Sequence, residues 1–80
     1  MEHYVIVSDC KEYYEGSVDI LGIAHSLEGA KEFFEKAVIN FRERADKNDF
    51  DVIDDTDVYF YAECEEEWSG NYIKLYVQKV

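Results

Sequence analysis

The stretch Ser26-Leu27-Glu28-Gly29-Ala30-Lys31-Glu32-Phe33-Phe34-Glu35-Lys36-Ala37-Val38-Ile39-Asn40-Phe41-Arg42-Glu43-Arg44-Ala45-Asp46-Lys47 decides the fold. Ser26 is a helix N-cap: its hydroxyl can accept from an otherwise unpaired amide of the first turn. Glu28 and Glu32 set negative charge near the positive end of the helix dipole. Gly29 is a poor helix former, and it leaves the cap without the Glu or Gln of a capping box. Beyond the cap, Leu27, Ala30, Phe34, Ala37, Val38, Phe41 and Ala45 recur at helical spacing and fall on one stripe. Phe33 lies at the edge of that stripe and Ile39 nearly opposite Phe33. Glu32 and Lys36 form an i,i+4 pair on the outer side. No proline interrupts the run before Asp46-Lys47-Asn48-Asp49. At 1.5 Å per residue such a helix spans roughly 30 Å, enough to cross a four-stranded sheet.

Strand patterns flank the helix on both sides. Tyr4 to Ser8 is rich in β-branched residues with a period of two. Asp9 to Ser17 is polar, contains Gly16 and places Tyr13 and Tyr14 at a hairpin tip. Val18 to His25 reads as a second strand, with Val18, Ile20 and Ala24 on one face and Leu21 and Ile23 on the other. Gly22 within it predicts a bulge or a close approach by the helix. After the helix, Asn48 to Thr56 reads as an acidic loop anchored by Phe50, Val52 and Ile53. Val58 to Cys64 alternates, with Val58, Phe60, Ala62 and Cys64 on one side and Tyr59, Tyr61 and Glu63 on the other. Ser69-Gly70-Asn71 ends the turn that starts at Glu65. Tyr72 to Val80 is the last strand, with Ile73, Leu75 and Val77 opposed to Tyr72, Lys74, Tyr76 and Gln78. The pattern predicts a single α+β domain over residues 1–80, a two-layer ββαββ unit with one long helix packed across a four-stranded, mainly antiparallel sheet.

The chain has 80 residues, near the lower end of what folds without staples, and 48% hydrophobic content, rich enough for a core. Its two cysteines, Cys10 and Cys64, lack Cys-x-x-Cys spacing and do not make a disulfide framework, which favours a reduced, intracellular setting. The Met1-Glu2-His3 start has no basic region and no long apolar run follows, so neither a signal peptide nor a membrane span is expected. A cytoplasmic protein is the expectation, in the host cytoplasm if a phage encodes it.

Charge is the most unusual feature. The formal net charge is -11. Four acids and four bases cancel between Leu27 and Ala45, whereas ten acids face Lys47 alone between Asp46 and Glu67. Such a field disfavours direct contact with nucleic-acid phosphates and favours a protein partner with a basic surface.

Most chemical readings of these residues fail. Asp49, Asp51, Asp54, Asp55 and Asp57 crowd one segment as calcium ligands do, yet there is no glycine at the sharp turn and no glutamate at the twelfth position of an EF-hand loop. A solvated acidic loop accounts for them. His3 and His25 show no ligand spacing with Cys10 or Cys64 and read as strand-end residues. No segment supplies a nucleophile motif or a glycine-rich phosphate loop, and no pair of carboxylates stands out as acid and base. No enzyme and no cofactor are expected.

Two features remain. With the aliphatic side of the last strands against the helix, Tyr59, Tyr61, Tyr72 and Tyr76 share the opposite face, and a one-helix domain has nothing of its own to cover them. Tyrosines suit the solvated face of a sheet, and they are also enriched at interface hot spots. Glu63, Glu65, Glu66 and Glu67, with the acids of Asp46 to Asp57, put carboxylates at both ends of one strand. A dense carboxylate surface imitates the phosphate line of DNA; it also simply keeps a small aromatic-rich domain in solution.

The run Asp19 to Phe34, after Tyr4-Val5-Ile6-Val7-Ser8-Asp9, resembles a strand–strand–helix opening found in small phage and mobile-element proteins. Size and acidity are similar to those of anti-CRISPR and other DNA-mimicking phage inhibitors. These families share no diagnostic motif, so the resemblance assigns no residue; Gly29 stands where such sequences have Glu or another polar residue. The resemblance implies an inhibitor that blocks a basic, nucleic-acid-binding surface, such as that of a CRISPR effector. The expected partner-binding residues are Asp49, Asp51, Asp54, Asp55, Asp57, Tyr59, Tyr61, Glu63, Glu65, Glu66, Glu67, Trp68, Tyr72 and Tyr76. The alternatives are an oligomerising module whose tyrosine face is a homodimer interface, and an immunity protein against a basic nuclease toxin.

Overall fold

The computed structural model describes residues 2–12, 15–64 and 70–80. Its elements are β1 (Tyr4–Glu12), β2 (Glu15–Ala24), α1 (Leu27–Lys47), β3 (Asp51–Asp55), β4 (Tyr59–Glu63) and β5 (Tyr72–Lys79). The strands form one antiparallel sheet in the order β2-β1-β5-β4-β3. The class is α+β, but the chain order is ββαβββ and the sheet has five strands, not four. The extra strand, β3, lies within the acidic segment Asn48 to Thr56, whose composition reads as a loop. β3 is an edge strand exposed along its whole length, so charged side chains sit on both of its faces at no desolvation cost. Phe50 does pack against the core, whereas Val52 and Ile53 are exposed and anchor nothing.

The helix starts where the cap dictates. Ser26 is extended and its Oγ accepts from the Gly29 amide at 3.0 Å. The helix ends in the longer bond of a Schellman motif: the Phe50 amide reaches back to the Ala45 carbonyl at 2.9 Å, with Asp49 in the left-handed region. Ala30, Phe34, Val38, Phe41 and Ala45 are buried against Tyr4, Ile6 and Cys10 of β1, Phe60 and Ala62 of β4, and Ile73 and Leu75 of β5. The Phe41 and Phe60 rings meet edge to face, 6.3 Å between centroids. Leu27, at the first helical position, and Ile39 remain exposed.

β2 departs from the expected alternation because a bulge interrupts its pairing with β1. Ile6 pairs with Gly22 and Val7 with Ile20, so Leu21 is the extra residue. The bulge turns Val18, Ile20 and Ile23 to the side away from the helix and leaves Gly22 and Ala24 beneath it. Gly22 is there for the close approach: a Cβ at this position would lie 2.7 Å from the Phe33 ring. β1 and β2 also run further into the hairpin than the polar composition of Asp9 to Ser17 suggests, with backbone pairing out to Glu12↔Glu15.

Candidate functional site: the open face of the sheet

The face of the sheet away from α1 is covered by no other element among the described residues. Strand register fixes which side chains share it. Tyr59 pairs with Tyr76, Tyr61 with Lys74 and Glu63 with Tyr72. Val7 pairs with Tyr76, Asp9 with Lys74 and Lys11 with Tyr72. Asp51 pairs with Glu63 and Asp54 with Tyr61. Two of these rows, through Tyr61 and through Tyr72, end in acids of β3 and β4, and the third ends at Tyr59.

The four tyrosines do come together. Tyr59 and Tyr76 lie 6.4 Å apart between ring centroids, and Tyr61 and Tyr72 6.1 Å. The Lys74 ammonium sits over the rings of Tyr59 and Tyr76, 5.6 and 5.2 Å from their centroids. The Tyr61 hydroxyl donates to Glu63 Oε2 at 2.8 Å, and the Tyr72 hydroxyl donates to Asp9 Oδ1 at 3.0 Å. Each bond holds its phenol in the protonated form, so both titrate above the ordinary tyrosine value, helped by partial burial. Tyr61 and Tyr72 are thus tied down at their hydroxyls, and Tyr59 and Tyr76 pack about the Lys74 ammonium.

The expected acidic surface divides in two. Asp51 and Asp54 lie on the open face beside Glu63, with Asp49 at the helix exit. Asp55 and Asp57 belong to the other side. Arg42 grips Asp55 with two bonds, from Nη2 at 2.8 Å and from Nε at 3.2 Å, and Lys31 pairs with Asp57 at 3.2 Å. These pairs span a groove of about 470 Å³ floored by Phe34 and Val38, and the Asp55 contact raises the Arg42 pKa. Alternation along β3 makes the division, and a bulge at Ile53 decides which acid falls on which face. Val52 pairs with Ala62 and Asp54 with Tyr61, so Asp55 is re-phased towards the helix. Glu65, Glu66, Glu67 and Trp68 lie outside the described residues.

Sequence reasoning missed the residues that frame the tyrosines. Asp9 fixes Tyr72 across 63 positions of sequence, and Lys74 fills the space between two rings. Val18, Ile20 and Ile23 extend the face as an exposed aliphatic strip on β2, at 65%, 65% and 67% exposure. The alternation in β4 and β5 was signal enough for the tyrosines; the β2 strip needed the bulge to be known.

Among the described residues no three His, Cys, Asp or Glu side chains gather as a metal cluster, and no helix is long and apolar enough to cross a membrane. Cys10 is buried and Cys64 half-buried, both as free thiols. No family model, curated protein or solved structure matches the chain.

Proposed function

We propose that this protein is a small acidic binding module without catalytic activity, which lays its open sheet face on a basic protein surface and so blocks a nucleic-acid-binding site there. One observation carries the proposal: an uncovered sheet face that joins a patch of Tyr59, Tyr61, Tyr72 and Tyr76 to a rim of Asp51, Asp54 and Glu63. Ordered aromatic side chains supply contact area with little entropy left to lose, and the carboxylate rim steers a cationic partner and sets its orientation. The field of the whole chain, at -11, acts in the same direction.

The test compares wild type with the variant Asp51→Asn/Asp54→Asn/Glu63→Gln as tagged baits in nuclease-treated host lysate. Wild type is expected to hold a nucleic-acid-binding protein in a salt-sensitive complex that the variant loses. Equal capture by both, or capture of nothing, overturns the proposal. A second function, homodimerisation through the same face, draws support from the aliphatic strip of Val18, Ile20 and Ile23 that continues the tyrosine patch. It predicts a dimer in light scattering that Tyr61→Lys converts to monomer; a monomeric wild type at high concentration dismisses it.

A further inference from the structure

His3 and His25 are 22 positions apart in sequence, yet their Nδ1 atoms lie 3.0 Å apart. The β1–β2 ladder explains the meeting. Its last pair is Tyr4↔Ala24, so the next residue on each side stands opposite its counterpart just beyond the ladder. The rings are exposed, 5.1 Å between centroids and 77° between planes. Both backbones are held. The Val80 amide donates to the His3 carbonyl at 2.8 Å, and His25 precedes the capped residue Ser26.

At this separation the two nitrogens share one proton, donated by one imidazole to the lone pair of the other. When the donor ring carries that proton on its own Nε2 instead, two lone pairs border one small volume. We infer that His3 and His25 form a binding site for a late first-row divalent metal ion, of which Zn²⁺ is the reference case. Two imidazole nitrogens at roughly 2.0–2.1 Å from one ion stand about 2.8–3.4 Å apart for angles between square and tetrahedral. The observed 3.0 Å already falls in that interval. The ion enters by a turn of two exposed rings and requires no movement of the backbone. Coordination through Nδ1 leaves each Nε2–H facing solvent. Water completes the sphere, since no third His, Cys, Asp or Glu joins the pair among the described residues. The site is distinct from the open-face residues and stands whether or not that face binds a partner.

Two protein ligands give an affinity on the order of 10 μM, far weaker than a closed four-ligand site. Calorimetric titration with Zn²⁺ is expected to show one site of that strength in wild type. The ring resonances of both histidines shift together in heteronuclear spectra. His3→Ala and His25→Ala each weaken binding by about tenfold or more with the circular dichroism unchanged, because both side chains are exposed. Ca²⁺, which seeks oxygen ligands, leaves both rings unmoved. Absence of Zn²⁺ binding up to about 1 mM, far above the strength of a two-imidazole site, overturns the inference. So does binding that either substitution leaves intact, which would place the ion on the acids or the cysteines.

Discussion

Asp49 holds a φ of 56° at the exit of α1, in the left-handed region where glycine is at ease and a residue with a Cβ is strained. It also puts a negative charge at the negative end of the helix dipole. Both effects have one sign, so Asp49→Gly is expected to stabilise the fold by about 1 kcal/mol. Thermal unfolding should show it as a rise of roughly 4–8 °C in a domain of this size. A fall in Tm would mean that the aspartate makes a compensating contact. On the open face, Tyr61 and Tyr72 titrate above the ordinary value of 10.0 because their hydroxyls donate to Glu63 and Asp9. A phenol whose folded pKa lies above its unfolded value stabilises the fold fully below the unfolded pKa. That contribution is lost as pH rises through the folded pKa. Stability should therefore decline above about pH 10, and the Tyr61→Phe/Tyr72→Phe variant should decline less over that window. In a spectrophotometric titration the same variant should lose two late-ionising phenols and keep Tyr4, which its hydrogen bond to Glu2 also raises. Identical alkaline limbs for the two proteins would contradict the assignment.

Among the elements, α1 was readable from sequence because its cap, its apolar stripe and its length agree, and each acts locally. The tyrosine side of β4 and β5 was readable for the same reason, a clean period of two. β3 was not. An edge strand with both faces in water carries no hydrophobic alternation, and Asp51, Asp54 and Asp55 look like loop residues wherever they are. Two bulges, at Leu21 and Ile53, then re-phase β2 and β3 by one residue each, and a one-residue slip changes the face of everything beyond it. Alternation along β3 spreads over two surfaces the acids expected on one, and the Ile53 bulge turns Asp54 to the open face and Asp55 to the helix. The His3–His25 meeting depends on the same cross-strand register and leaves no local trace. β3 pairs with β4 alone, and the Arg42–Asp55 and Lys31–Asp57 ion pairs tie it and its following turn to the helix. Exposed pairs of this kind contribute roughly 0.2–1 kcal/mol each. Native-state hydrogen exchange should show the β3–β4 amides opening at least about 2 kcal/mol below those of β1 and β5, which are covered by the core. Asp55→Asn should widen that gap with little effect on global unfolding. Uniform protection across all five strands would show that the sheet opens only as a unit.

At the scale of the whole molecule, 19 acids and 8 bases share a body with a radius of gyration of 12.9 Å. The Debye length is about 10 Å at 0.1 M salt and about 3 Å at 1 M, so at low salt most of these charges feel one another and at high salt few do. Two opposite consequences compete. Screening weakens the exposed pairs Lys31–Asp57, Arg42–Asp55 and Lys79–Glu2, which lowers stability. It also relieves the mutual repulsion of the excess acids, most of which lie between Asp46 and Glu67, which raises it. The repulsive excess is the larger, because exposed pairs contribute little and the excess negative charge is concentrated between Asp46 and Glu67. Tm should therefore climb by several degrees between about 20 mM and 500 mM sodium chloride, the range over which the Debye length falls from beyond the radius of the molecule to well inside it. Asp51→Asn/Asp54→Asn should start from a higher Tm at low salt and climb less. A Tm that falls with salt would mean that the ion pairs outweigh the repulsion. The rim would then be held by its cations instead of strained by its anions. If Tm climbs as expected, a basic partner gains twice at the open face. It acquires the attraction across the interface, and it relieves a repulsion that the free protein carries among Asp51, Asp54 and Glu63.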